Sequence, residues 1–130
     1  MLNSNSVNFI KNIHNKHRRS IFSKLFCGVL KLEIELGIYK RVPIAERFCP
    51  VCNNKAIEDP IHFIFECPTY ELPRYLFLKT ANVEQMYETF KELLFKETSR
   101  TAGFICDCWD IRKNNLFSIN TVNMGIVRTK

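Results

Sequence analysis

The chain has 130 residues, with 19 Lys and Arg against 13 Asp and Glu, a formal net charge of +6. A hydrophobic content of 46% and a charged content of 25% belong to one globular domain with a modest core, and they exclude a disordered chain. The most apolar segment, Ile21 to Ile38, is cut by Lys24, Lys31, Glu33 and Glu35. It therefore falls short of the roughly 18 apolar residues of a membrane span, and no membrane partner is expected.

Eleven Phe suggest a core of large aromatic volumes. Met1 to Ser6 carry neither the basic start nor the apolar block of a secretory signal, so an intracellular protein, nuclear or cytoplasmic, is expected. In such a reducing compartment the six cysteines point to metal binding rather than disulfides. Charge is uneven. Residues 1–48 hold nine Lys and Arg against three Asp and Glu, a net of +6, whereas residues 49–78 carry a net of −2 and residues 79–130 a net of +2. A basic flank suits nucleic-acid phosphates, or else is a solvated face without a partner.

In chain order, residues 1–19 read as a basic, polar, frayed or partly helical arm, in which His14-Asn15-Lys16-His17-Arg18-Arg19 forms a basic contact face. From Ser20 to about Leu36, the residues Ile21, Leu25, Val29, Leu32 and Leu36 recur every three or four positions, with Phe22 and Phe26 widening the stripe. This predicts one amphipathic helix with Ser20 as N-cap and Gly37 as its stop. Cys27, on that helix beside Gly28, reads as a small buried hydrophobe. Tyr39 to Phe48 form an irregular basic connector containing Pro43.

Next comes the most informative pattern, Cys49-x2-Cys52-x9-His62-x4-Cys67. Two cysteines separated by two residues put both sulfurs on one side of a tight turn, about 3.5–4 Å apart, and the second pair closes the other side of a tetrahedron. Thiolate and imidazole are the ligand set that zinc prefers, and four protein ligands leave no position for water, so one structural Zn(2+) is expected and no catalysis by it. Pro50 fixes a turn, and Asn53 follows where a left-handed residue is needed. Asp59 reads as an N-cap with Pro60 in the first helical position. On an α-helix His62 and Cys67 would differ by about 140°, so the turn between them must loosen for both to reach one ion. Arg41, Arg47 and Lys55 are expected to offset the net charge of three thiolates on one zinc.

After the metal loops, a short helix is predicted from Pro73 through Tyr75 to about Thr80. Asn82 with Gln85 then makes a capping-box-like start for a helix whose apolar face is Val83, Met86, Tyr87, Phe90, Leu93 and Leu94. A last helix runs from Ser99 to about Phe117 with Ala102, Ile105, Trp109 and Leu116 inward, and residues 119–130 form a flexible tail. One intervening residue makes Cys106-Asp107-Cys108 a poor ligand pair, and the alternative is a second site joining Cys106 or Cys108 to His14 or His17. The fold class expected is mainly α, a small helical bundle over residues 20–118, stapled by one CCHC structural zinc site in a module of about residues 45–80.

The flanks of the metal pattern add specificity. Lys24-Leu25-Phe26-Cys27-Gly28-Val29-Leu30, Leu32-Glu33-Ile34-Glu35-Leu36-Gly37-Ile38-Tyr39, Glu46-Arg47-Phe48-Cys49 and Glu58-Asp59-Pro60-Ile61-His62-Phe63-Ile64-Phe65-Glu66-Cys67-Pro68-Thr69-Tyr70 follow in order. This segment, about residues 22–80, closely resembles the zinc-binding segment C-terminal to the reverse transcriptase domain of non-LTR (LINE-like) retrotransposons. Cys108 to Leu116 also looks like that family's closing helix. The resemblance departs at Phe26 and at residues 36–39, where the family carries Arg and Thr-Gly-Arg-Tyr.

Neither the Tyr-x-Asp-Asp polymerase signature nor an endonuclease constellation is present, so no enzyme activity and no small-molecule substrate are expected. The resemblance implies a retroelement-derived fragment that positions RNA or DNA. Contact would be phosphate-driven, through Lys16, Arg18, Arg19, Lys24, Lys31, Lys40, Arg41 and Arg47. The alternative is a scaffold docking on a reverse transcriptase body, or an inert remnant, with no nucleic-acid binding of its own.

Overall fold

The computed structural model describes Ile13 and residues 15–123, with side chains placed as far as Phe117. Among the described residues five α-helices form: α1 (Lys16–Phe26), α2 (Glu33–Lys40), α3 (Glu71–Leu78), α4 (Val83–Lys96) and α5 (Thr98–Asn123). Between α2 and α3 lie 3-10 turns at Ile44–Glu46 and Pro68–Tyr70 and a π-helical turn at His62–Glu66. Among the described residues no strand forms, and one antiparallel bridge joins Phe48 to Ile57. The fold is thus the expected helical class.

The single helix expected over Ser20 to Leu36 is two helices. Helix α1 starts earlier, where the Asn15 side chain accepts the Arg18 N–H at 3.0 Å. It ends at Phe26 because Gly28 takes φ +73°, a left-handed conformation that costs glycine nothing. Gly28 N–H then reaches Leu25 O at 3.2 Å and Val29 N–H reaches Lys24 O at 2.9 Å, the paired bonds of a Schellman stop. Cys27 is exposed at this terminus, not buried as expected, because the helix that was to carry it inward ends there.

Gly37 does not stop α2. The helix runs on to Lys40 and is capped by Arg41 at φ +57°. Gly37 instead makes room for a neighbour: a Cβ there would collide with the Arg47 side chain at Cγ, Cδ and Nε.

Helix α5 is the centre of the bundle, with α1, α3 and α4 packed along it. Its buried residues Ala102, Phe104, Ile105, Cys106 and Cys108 meet Ile21, Phe22 and Leu25 of α1, Phe77 and Leu78 of α3 and Phe90 of α4 in one core. Phe77 stacks on Phe104 with centroids 4.7 Å apart and planes 7° from parallel. Asn82 caps α4 as predicted, accepting the Gln85 N–H at 3.1 Å. The Gln85 side chain does not return to Asn82, however. It accepts the Thr80 hydroxyl at 2.9 Å, and that hydroxyl oxygen takes the Asn82 N–H at 3.1 Å.

The short helix expected from Pro73 begins at Glu71. Helix α5 extends to Asn123, beyond the expected end at Phe117, so the start of the expected tail is helical. No helix among the described residues is long and apolar enough to cross a membrane.

Candidate metal centre

The two halves of the site come from different local structures. Cys49 and Cys52 sit on a knuckle closed by Cys49 N–H on Ala56 O at 2.7 Å and Glu58 N–H on Arg47 O at 3.0 Å. The knuckle turns back through Asn53 at φ +57° and Lys55 at φ +54°. Asn adopts that conformation at little cost, as the sequence requires.

The other half is the turn from Asp59. Its carboxylate accepts the His62 N–H at 2.8 Å, capping the helical start at Pro60. The loosening that the spacing demanded takes a definite form. Cys67 N–H bonds to His62 O, five residues back, at 2.7 Å, making the segment a π turn rather than an α turn. Residues five apart then come to one side, and His62 and Cys67 face the same point. Phe63 and Ile64, both buried, anchor this turn, with Phe63 edge-on to Tyr70 at 5.1 Å and to Trp109 at 6.4 Å.

Cys49, Cys52, His62 and Cys67 thus bring one ligand atom each to within 4.8 Å of all the others. Cys49 Sγ lies 3.9 Å from Cys67 Sγ, and Cys52 Sγ lies 3.5 Å from His62 Nε2. A tetrahedral ion bonded to sulfur at about 2.3 Å and to nitrogen at about 2.0–2.1 Å has edges of about 3.5–3.8 Å, so the four atoms fit a metal ion. His62 Nδ1 is buried without a hydrogen bond, while Glu66 Oε1 stands 3.7 Å away, beyond hydrogen-bond length. That leaves Nε2 as the ligand atom and places a carboxylate where the opposite ring nitrogen needs one.

The electrostatics match a thiolate site. The hydrogen bond shared with Cys49 holds the Cys67 thiol below its ordinary value, opposed by burial and helped by hydrogen bonds from Thr69. The same hydrogen bond, with burial, pushes Cys49 upward. A bound cation takes cysteine ligands as thiolates and releases their protons.

Two arginines and a glutamate missed by the sequence reading complete the surroundings. Arg74, buried on α3, donates Nε to Ile64 O at 2.7 Å and Nη2 to Cys67 O at 2.8 Å, bringing positive charge to the thiolate side. Glu58, with no exposed surface, accepts both Arg112 Nε and Nη2 at 2.7 Å and the Glu33 N–H at 2.8 Å. Its Oε2 also lies 3.8 Å from Cys49 Sγ. The sequence does hold a signal for both arginines: Arg74 shares the stripe of Phe77 and Leu78, and Arg112 that of Ile105, Cys108 and Trp109, where a charge must find a buried partner.

The eight basic candidates occupy varied surroundings. Lys16, Arg18 and Lys24 are exposed on α1, while Arg19 is partly buried and donates Nη1 to Ile13 O at 3.3 Å. Lys31 lies 4.6 Å over the exposed Tyr39 ring, with Lys40 and Arg41 following on the surface, Lys40 paired to Glu33 at 3.3 Å. Arg47 is turned inward: Nε donates to Val42 O at 2.9 Å and Nη1 to Ile34 O at 3.0 Å. The structure brings the four metal candidates together. The His14 part of the alternative second site lies outside the described residues. Cys108 is buried, its thiol pushed up to about 12 by that burial.

No protein-family model, curated protein or solved structure matches this chain.

Proposed function

We propose that the protein is a non-catalytic zinc module, related to the segment that follows the reverse transcriptase domain in LINE-like retrotransposons, and that it binds RNA or DNA through its basic N-terminal half. The observation that carries the zinc reading is the convergence of Cys49, Cys52, His62 and Cys67 on one point across a π turn. Three thiolates and one imidazole select zinc among the common divalent ions, and a closed tetrahedral set serves folding rather than catalysis. The reducing intracellular compartments, nucleus or cytoplasm, suit free thiols.

The nucleic-acid reading is supported by Lys31, which lies over the exposed Tyr39 ring, by the exposed Lys40 and Arg41 that follow Tyr39 in the chain, and by Lys16, Arg18 and Lys24 along α1. Cations meet phosphate, and an exposed tyrosine face offers a base a stacking surface. A second reading, a scaffold that docks on a polymerase body, draws on Leu72, Tyr75 and Leu76, exposed together on one side of α3.

Fluorescence anisotropy of the metal-loaded protein with single-stranded RNA and with duplex DNA, at low and physiological salt, separates them. About four phosphate contacts predict an affinity loss of roughly 100-fold between 50 and 200 mM salt. Absence of binding at either salt would reject the nucleic-acid module and leave the scaffold.

A further inference from the structure

A second cluster lies where α1 crosses α5. His17, in the first turn of α1, points Nε2 at Asp110 Oδ1 across 3.6 Å. Cys106, one turn before Asp110 on α5, holds Sγ 3.8 Å from Asp110 Oδ2. One ligand atom from each of the three lies within 4.8 Å of the other two. The separations approach the edges of a tetrahedron around an ion bonded to nitrogen, oxygen and sulfur at about 2.0–2.3 Å.

We propose that His17, Cys106 and Asp110 form a second divalent-metal site, for zinc or a borderline ion of similar chemistry such as cobalt or nickel. Imidazole, thiolate and carboxylate together suit these ions rather than calcium or magnesium, which take oxygen ligands. Binding replaces the proton on the Cys106 sulfur, which in its thiol form donates to Asp110, and that proton leaves to solvent.

Three protein ligands leave a fourth position open. Cys106 is buried, but His17 and Asp110 are about half exposed, at 54% and 47%, so water or an added ligand reaches that position. Lys113 Nζ, 3.6 Å from Asp110 Oδ1, is itself exposed and free to swing away when an ion takes the carboxylate. With one thiolate and an open position, this ion exchanges more readily than one in the Cys3His site. When bound it ties the basic helix α1 to the centre of the bundle.

Native mass spectrometry of the full chain, with zinc and separately with cobalt added alone, reads the site. Wild type is expected to carry two ions per chain at moderate metal excess, and His17→Ala and Asp110→Asn one each, with helix content and Tm in chelator unchanged. Cys106→Ser should remove part of the sulfur-to-cobalt charge-transfer absorption. Because His17 and Asp110 are surface groups, their variants keep the test valid even where Cys106→Ser misfolds. Equal ion counts in wild type, His17→Ala and Asp110→Asn would overturn the proposal, whether that count is one or two. The readout is the ion lost on substitution at α1 and α5, so it stands apart from any failure of the Cys3His reading.

Discussion

A carboxylate with no exposed surface must be met by donors and opposite charge, and Glu58 has both: two arms of Arg112, the Glu33 N–H and a neighbouring cysteine sulfur. Arg112, also nearly buried, lies over the Trp109 ring at 5.1 Å. Burial alone would lower its affinity for a proton, but the hydrogen bonds and charge of Glu58 outweigh that and the net shift is upward. Breaking such a pair strands a charge, whereas removing both members does not. Glu58→Met or Arg112→Met should therefore each lower unfolding stability in urea by about 3–5 kcal/mol, and the double substitution Glu58→Met with Arg112→Met by much less than their sum. Additive losses would show that the two residues do not act as a pair.

Glycine behaves differently in the two elements that the sequence fused into one. Gly28 needs its left-handed φ, and nothing lies within 4 Å of an added Cβ, so Gly28→Ala should cost only the backbone strain, about 1 kcal/mol. Gly37 lies inside α2, where alanine is intrinsically better by about 1 kcal/mol. There the added carbon meets the Arg47 stem and costs that side chain its bonds to the Ile34 and Val42 carbonyls. Gly37→Ala should consequently destabilise more than Gly28→Ala in thermal melts, and the reverse order would contradict the packing of Arg47.

The same elements show what a sequence can disclose. The Asp59 and Asn82 caps, the left-handed Asn53 and the loosening of the turn between His62 and Cys67 are local, fixed within about five residues, and were readable, though that the loosening takes π form was not. The break at Gly28 was hidden because Ile21, Leu25, Val29, Leu32 and Leu36 keep a helical phase straight through it, although Val29 ends exposed. The Glu58–Arg112 pair joins residues 54 apart, and no local periodicity encodes such a partner.

At the scale of the whole molecule, the knuckle, the π turn and α5 meet around the four candidate metal ligands. Phe63 and Trp109 pack there, and Arg112 ties the knuckle to the central helix through Glu58. A structural zinc contributes about 10–16 kcal/mol of apparent binding free energy in small modules, as much as or more than the 5–15 kcal/mol net stability of a typical domain. On the proposed zinc reading, losing the ion should therefore be felt well beyond the four side chains.

Amide hydrogen exchange, read by mass spectrometry with the zinc content of the same sample measured, tests this most directly. We predict that wild type purifies with zinc, and that chelation, His62→Ala or Cys67→Ser each abolishes protection across residues 45–80. A protein that loses no protection in that segment on chelation, or whose His62→Ala variant keeps native protection and helix content, would contradict the account.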